Sequence, residues 1–253
     1  MKLFDSHTHL QDGRVAGTMD AMMDRARDVG VSRILSCGTR EEDWSPLKRL
    51  ARHHPEILPA YGIHPWFIET LSPDWLNILG GFLREGNAAM GEIGLDFAVE
   101  GLHRGKQEAV FLAQLRLAKD LKRPVSIHCR KAWGRMVELL KQEGGLPHGG
   151  AIHSFSGSVE MVNECQRLGA FISFSGSITR SNNLKAKKAA AAVSLDRLLI
   201  ETDSPDILPV NVPGPLNEPA HVIHVVKILA DLRKTTPENV AETTWNNAVG
   251  LFG

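Results

Sequence analysis

The feature that most constrains the fold is an eightfold alternation of short apolar runs with stretches of helical periodicity, carried from Lys2 to Leu251 without a linker or low-complexity segment. A run too short for a helix, followed each time by a helix pattern, describes βα units, whose crossovers make neighbouring strands parallel. The runs are Lys2 to Phe4, Arg33 to Ser36, Leu58 to Ile63, a stretch ending at Glu92, Val125 to His128, Gly150 to His153, Phe171 to Phe174 and Leu198 to Glu201. Thr18 is expected to cap a first helix that Gly30 ends. Further helices are expected over about Glu41 to His53, Ser72 to Arg84, Lys106 to Leu121, Ala132 to Gln142 and Ser158 to Leu168. A Lys/Ala-rich helix then precedes the eighth strand, and two helices follow it after Pro219 and from Pro237. In the fourth helix Val110, Leu112, Leu115, Leu117 and Leu121 carry the apolar pattern. A closed barrel of this kind takes about 250 residues. The 253-residue chain therefore reads as α/β, a (β/α)8 TIM barrel forming a single domain over 1–253, with a doubly wound open sheet as the alternative. No Gly-x-Gly-x-x-Gly or Walker lysine follows a strand, so nothing points to a nucleotide cofactor.

The carboxyl ends of barrel strands meet at one face, where chemistry is expected. The runs stop at His7 and His9, His64, Glu92, His128, His153 and Asp203, so these scattered residues are brought to one place. In Asp5-Ser-His-Thr-His-Leu10, strand alternation points His7 and His9 the same way, as two ligands of one ion must be. Four histidines (His7, His9, His128, His153) and two carboxylates (Glu92, Asp203) exceed what one tetrahedral zinc needs. They suit two divalent ions, one activating water while both stabilise the attacking and leaving oxygens of a hydrolysis.

Composition limits the partners. Lys plus Arg and Asp plus Glu both number 29, a net charge of zero, so no global basic field marks a coat of nucleic acid or membrane. The three cysteines, Cys37, Cys129 and Cys165, lack the density of a disulfide scaffold and read as reduced thiols. With no leader and no apolar run near the length of a membrane span, a cytoplasmic protein without membrane contact is expected, and a monomer.

Asp5 to Leu10, Gly91 to Asp96, His128 to Arg130, His153 to Gly157 and Glu201 to Pro205 resemble the motifs of the TatD family of metal-dependent deoxyribonucleases. The likeness extends to Asn217-Glu-Pro-Ala220 and to Asn246-Asn-Ala248 with Leu251-Phe252. It implies that His7, His9 and Asp203 hold a first metal, that His128 and His153 hold a second, and that Glu92 bridges the two. It further implies magnesium or manganese for activity, with zinc as a common occupant, and Asp203 as the general base toward water. His64, Arg130, Ser156 and Asn217 are expected to contact substrate, Arg130 through the planar fork that suits a phosphate. Many relatives carry a basic residue just before Asn-Glu-Pro where this chain has Leu216, and Arg180 is a candidate replacement. The implied activity is hydrolysis of DNA phosphodiesters from the 3′ end. Zero net charge favours single-stranded or frayed ends over long duplex.

Two rival readings share these residues: hydrolysis of a small ester, amide, phosphoester or aminoacyl bond by the same metals, and a non-catalytic adaptor that keeps them as structure. The completeness of the ligand set stands against the second. Lys185, Lys187 and Lys188 read as a solvated helix face, and Trp66 as either a packing residue or a platform for a base.

Overall fold

The computed structural model describes all 253 residues, Met1–Gly253. Eight parallel strands pair in sequence order: β1 (Leu3–Thr8), β2 (Val31–Cys37), β3 (Ile57–Tyr61), β4 (Ala89–Asp96), β5 (Val125–Arg130), β6 (Gly150–Ile152), β7 (Ala170–Phe174) and β8 (Leu198–Ile200). Between them lie α1 (Met19–Asp28), α2 (Glu41–His53), α3 (Trp75–Arg84), α4 (Arg104–Asp120), α5 (Trp133–Gln142), α6 (Val159–Arg167) and α7 (Leu184–Ala192). The chain ends with α8 (Val222–Arg233) and α9 (Pro237–Phe252). The first and eighth strands meet through a parallel bridge between Thr8 and Ser204, so the expected (β/α)8 barrel is what forms. Backbone N–H groups of Asp203 and His9 donate to the carbonyls of His7 (3.0 Å) and Ser204 (2.7 Å), so the residues that close the barrel neighbour those that carry its chemistry.

Alternation along the strands divides the core in two. Outward residues such as Leu3, Ile34, Met90 and Ile152 join the helices in a cluster of 54 buried side chains. Inward residues Phe4, Leu35, Leu58, Ala60, Ala89, Ala151 and Leu199 form a smaller cluster completed by Ala248 and Phe252 of α9. Phe4 meets the rings of Trp245 and Phe252 with centroids 6.2 Å apart, and Asn247 Nδ2 donates to the carbonyls of Leu195 (2.7 Å) and Leu198 (2.9 Å). The terminal Asn-Asn-Ala motif thus plugs the barrel beneath β8. Toward the strands' carboxyl ends the interior turns polar, with Ser6 Oγ 3.0 Å from Ser173 Oγ.

Several elements differ from the sequence reading. Strands β1 and β4 run on to Thr8 and Asp96, so His7 and Glu92 lie inside strands rather than at their ends. Register is broken between Met90 and Ile93, and Gly94, at φ +149°, lies where a Cβ would come 2.0 Å from the His128 carbonyl. Only glycine permits that approach of β4 to β5. Thr18 makes no side-chain cap; a short 3-10 turn, Ala16–Thr18, precedes α1, and the Thr18 hydroxyl donates to the Val15 carbonyl. In α4, Leu112 and Leu117 are only half-buried, while Gln107 and Gln114, two turns apart, are buried. Each glutamine clamps one strand end: Gln114 accepts from Ile63 N (2.7 Å) and donates to Ile63 O (3.1 Å), and Gln107 does the same for Asp96 (2.8 and 2.9 Å).

Gln114→Ala leaves a buried N–H and C=O of Ile63 unpaired and is expected to cost about 2–4 kcal/mol, read as a lowered urea midpoint. A loss below about 0.5 kcal/mol would show that the clamp contributes nothing net.

Candidate metal centre

Glu92 projects from the irregular stretch of β4 into the barrel mouth, with 3% of its surface exposed. Its Oε2 lies 3.5 Å from His7 Nε2 and 3.4 Å from His9 Nε2. Its Oε1 lies 2.8 Å from His153 Nε2, 3.0 Å from His128 Nδ1 and 3.5 Å from His64 Nε2. Asp203, in the left-handed region at φ +62°, brings Oδ1 within 3.9 Å of His7 Nε2 and 3.5 Å of His9 Nε2. One carboxylate is thus shared by two sets of imidazoles, one of which also faces Asp203.

The outer nitrogens of these rings fix what the inner ones can do. His9 Nδ1 lies 2.8 Å from the Cys37 carbonyl, which only accepts, so Nδ1 carries a proton and a neutral ring turns the Nε2 lone pair inward. His7 Nδ1 is 2.9 Å from Ser126 Oγ, and its ring stacks on His153 at 3.8 Å. His128 Nε2 faces Asp96 Oδ2 at 3.3 Å, leaving Nδ1 for Glu92, and His153 Nδ1 approaches Glu201 Oε1 at 3.5 Å. Carboxylates behind histidines in this way hold ring orientation and raise donor strength. His64 is the exception. Its Nδ1 accepts the Trp66 backbone N–H (3.2 Å), so Nε2 bears the proton and faces Glu92 as a donor.

Charge settles around the buried carboxylates. Burial opposes ionisation of Glu92, yet the surrounding imidazoles hold it well below the ordinary range, and Asp203 sits at about 2 because His9, His153 and His7 outweigh its own burial. Burial likewise opposes protonation of His9, but Asp203 and Glu92 raise it to about 9; His153 is raised well above its ordinary value by Glu92 and Glu201. Burial pulls His64 down to about 3, so it is neutral.

A cavity of about 640 Å³ opens over this cluster. Its wall includes His64, Arg130 and Ser156, as expected, and also Trp66, Arg14 and Arg40. Arg130 is exposed, with Nη1 3.8 Å from Asp96 Oδ2, and Ser156 is exposed at the rim. Asn217 does not reach the cavity. It is fully buried, its Nδ2 donating to the carbonyls of Thr202 (2.8 Å) and Ile207 (3.2 Å) while Oδ1 accepts from Glu218 N (3.0 Å). With its amide committed, it clamps the loop behind Asp203 instead of meeting substrate. Arg180 is exposed and outside the wall, so the replacement expected for Leu216 is not there. Arg14 and Arg40 supply guanidiniums at the mouth instead; Arg14 reaches both Asp12 (2.7 Å) and Asp206 (2.9 Å), and Arg40 lies over the Phe67 ring at 5.1 Å. Residues 185 to 188 keep two lysines exposed on α7, as a solvated face does.

Residues 4–253 match the family model described as TatD related DNase. The chain belongs to the TatD-related DNase family. It is 34% identical over 253 residues to a Bacillus subtilis protein named uncharacterized metal-dependent hydrolase YabD, covering 99% of this chain and 98% of that one. It is also 34% identical to a Klebsiella pneumoniae protein named 3′-5′ ssDNA/RNA exonuclease TatD, with 99% and 98% covered. The crystal structure of the Escherichia coli TatD homolog YjjV superposes with a TM-score of 0.94 at 31% identity, over 99% of this chain and 97% of that one. Like these relatives, the TatD-family chain is a metal-dependent hydrolase. No helix is long and apolar enough to cross a membrane.

The cluster fits a divalent metal. Nε2 of His7 and Nε2 of His9 face each other at 3.3 Å beside two carboxylates, an arrangement that needs a proton or a cation between the lone pairs. His7, His9, Glu92 and Asp203 could hold one ion, and Glu92, His128 and His153 another. His64, with its proton on Nε2, is not a ligand in this tautomer. Sequence reasoning assigned no role to Asp5 or Glu201, both fully buried. Asp5 accepts from Thr202 N (2.9 Å) and Thr202 Oγ1 (2.5 Å) and so ties β1 to the Asp203 loop; burial raises its own carboxyl well above the ordinary range. The available signal was an acid closing or opening an apolar run, Leu-Leu-Ile-Glu201 and Leu-Phe-Asp5.

A raised His9 holds its proton through neutral pH, so an ion must displace it. Apparent affinity for a divalent ion is therefore expected to weaken as pH falls from about 9 toward 7, by about tenfold per pH unit for each proton released. Metal titrations at pH 7 and pH 9, with proton release followed in weak buffer, check this; pH-independent affinity would contradict the assignment of His9.

Proposed function

We propose that the chain is a monomeric nuclease that uses two divalent ions to hydrolyse DNA phosphodiesters, removing nucleotides from the 3′ end of single-stranded or frayed DNA. The observation that carries this reading is the sharing of Glu92 between two imidazole sets, one of them completed by Asp203. The relative named as an ssDNA/RNA exonuclease supports the substrate class and extends it to RNA. His7, His9, Glu92 and Asp203 would hold one ion and Glu92, His128 and His153 the other, magnesium or manganese for activity, with zinc also suited to the imidazoles. Bound there, the ions supply Lewis acidity at the phosphoryl oxygens and lower the pKa of water.

The chain's own groups do the rest. Asp203 stays ionised and takes a proton from the attacking water as its oxygen bonds to phosphorus; the bond from phosphorus to the 3′ oxygen breaks, and that oxygen leaves as a hydroxyl with a proton drawn from solvent. Arg130 offers two N–H groups to the phosphate, and His64 Nε2–H donates a further hydrogen bond without adding charge. Ser156 lies on the same wall as a contact for the flanking nucleotide. Asn217 and Glu201 act at one remove, through the Asp203 loop and His153.

End-labelled single-stranded DNA, incubated with protein stripped of metal and reloaded with magnesium, manganese or zinc, should shorten stepwise from the 3′ end. Asp203→Asn should lower kcat by at least about a hundredfold. Normal turnover in that variant with metal retained would remove Asp203 as the base. Hydrolysis of small esters without oligonucleotide cleavage would move the reading to a small-molecule hydrolase. Arg130→Ala should raise KM about tenfold with metal content unchanged; loss of metal would make Arg130 part of the metal support.

A further inference from the structure

Seven large hydrophobic residues are exposed on this molecule: Met1, Trp66, Ile78, Leu184, Leu195, Val210 and Val249. Trp66 alone among them is aromatic, and it alone lies in the wall of the cavity over Glu92. The residue is 48% exposed, yet its indole is not loose. Nε1–H donates to the buried Asp96 carboxylate at 2.8 Å, the backbone N–H donates to His64 Nδ1, and the ring meets His64 edge to face with centroids 4.9 Å apart. An aromatic residue anchored by Nε1, by its backbone N–H and by one ring contact, yet about half exposed, loses hydrophobic stabilisation unless something covers it in use.

What would cover it follows from its neighbours. Asp96 receives Trp66 Nε1 on the same oxygen that faces His128 Nε2, and Arg130 Nη1 stands 3.8 Å from that oxygen. Indole and guanidinium therefore flank one carboxylate, a flat apolar face beside a phosphate fork. A nucleotide has that pairing of parts, a planar base and a phosphate one sugar apart. We infer that Trp66 is a stacking platform for a nucleobase of the strand being cut, so that the enzyme binds a nucleotide by its base as well as its phosphate. This rests on the nuclease reading above. A stacking face reads no hydrogen-bond pattern, so the platform accepts any base and rejects a sugar that carries none. Because Asp96 joins the indole to His128, seating a base also steadies the histidine on the second metal set.

The test compares oligonucleotides whose 3′-terminal residue carries a base or is abasic, using metal-loaded protein. Wild type should favour the base by about tenfold in kcat/KM, a range set by base stacking on aromatic side chains. Trp66→Leu, which keeps apolar bulk without a π-face, should bring the ratio near one, whereas Trp66→Phe should keep most of it. A second readout needs no turnover: an oligonucleotide ending in 2-aminopurine beyond a non-hydrolysable phosphonate should lose fluorescence on binding wild type but not Trp66→Leu. An unchanged ratio in Trp66→Leu, or equal quenching by both proteins, overturns the platform and leaves the nuclease reading standing. Quenching that depends on Trp66 without cleavage of any oligonucleotide supports the platform and removes the nuclease reading.

Discussion

The carboxylate of Glu92, buried within 3.5 Å of nitrogen atoms on five imidazoles, is what the rest of the barrel mouth depends on. Taking an ionised carboxylate out of water costs several kcal/mol. One positive charge about 4 Å away returns about 4 kcal/mol at the effective dielectric of such sites, so the arrangement requires positive charge close by. Two sources can meet that need. Without metal, protons held on His9 and His153 do so, which is why both are raised despite complete burial. Divalent ions would displace those protons and take the same lone pairs. Two protons carry two positive charges where two divalent ions would carry four, so protons alone neutralise the buried carboxylates only in part.

What separates a ligand from a donor among these histidines is the polarity of the group behind each ring. Behind His9 is a carbonyl, behind His128 and His153 are carboxylates, and all of these leave an inward nitrogen free of its proton when the ring is neutral. Behind His64 is a backbone N–H, which reverses the tautomer and turns the inward nitrogen into a donor. Five imidazoles of the same chemistry therefore divide into four candidate ligands and one neutral hydrogen-bond donor. For His9, His128, His153 and His64 that division is made by Cys37, Asp96, Glu201 and Trp66, residues that never need to touch an ion, while the Ser126 hydroxyl behind His7 can donate or accept.

Much of this was legible in the sequence, and the part that was not has a common cause. The period-two spacing of His7 and His9, and the apolar runs that stop at His128, His153 and Glu201, are local patterns that strand geometry converts directly into facing side chains. The extent of β4 was misjudged because Gly91 and Gly94 interrupt its apolar run, whereas they admit a break of register inside a continuing strand. Gln107 and Gln114 interrupt the apolar face of α4 because each serves the backbone of a strand remote in sequence, an arrangement periodicity cannot express. Asn217, expected from the resemblance to contact substrate, escaped for the same reason: a polar residue in a loop between Pro215 and Pro219 gives no sign that its amide is spent on Thr202 and Ile207.

The neutral chain still places guanidiniums at the cavity, and they are not equivalent. Arg14 is pinned between Asp12, whose Oδ2 accepts from Nε and Nη2, and Asp206, whose two oxygens accept from Nη1 and Nη2, so its charge is more than balanced and its geometry fixed. Arg40 lies over Phe67 near Asp43. Arg130 has only Asp96 at 3.8 Å, and that carboxylate is already engaged by Trp66 and His128. One under-balanced fork therefore stands beside the metal cluster, in a protein whose positive and negative residues otherwise cancel. Its field is screened beyond about 8 Å at physiological ionic strength, less than the span of three base pairs. Attraction of that reach captures a phosphate already at the mouth but cannot track a long polyanion, which accords with the proposed action on ends and loose strands. The restriction to ends in the proposed activity follows from where the protein omits positive charge as much as from where it keeps it.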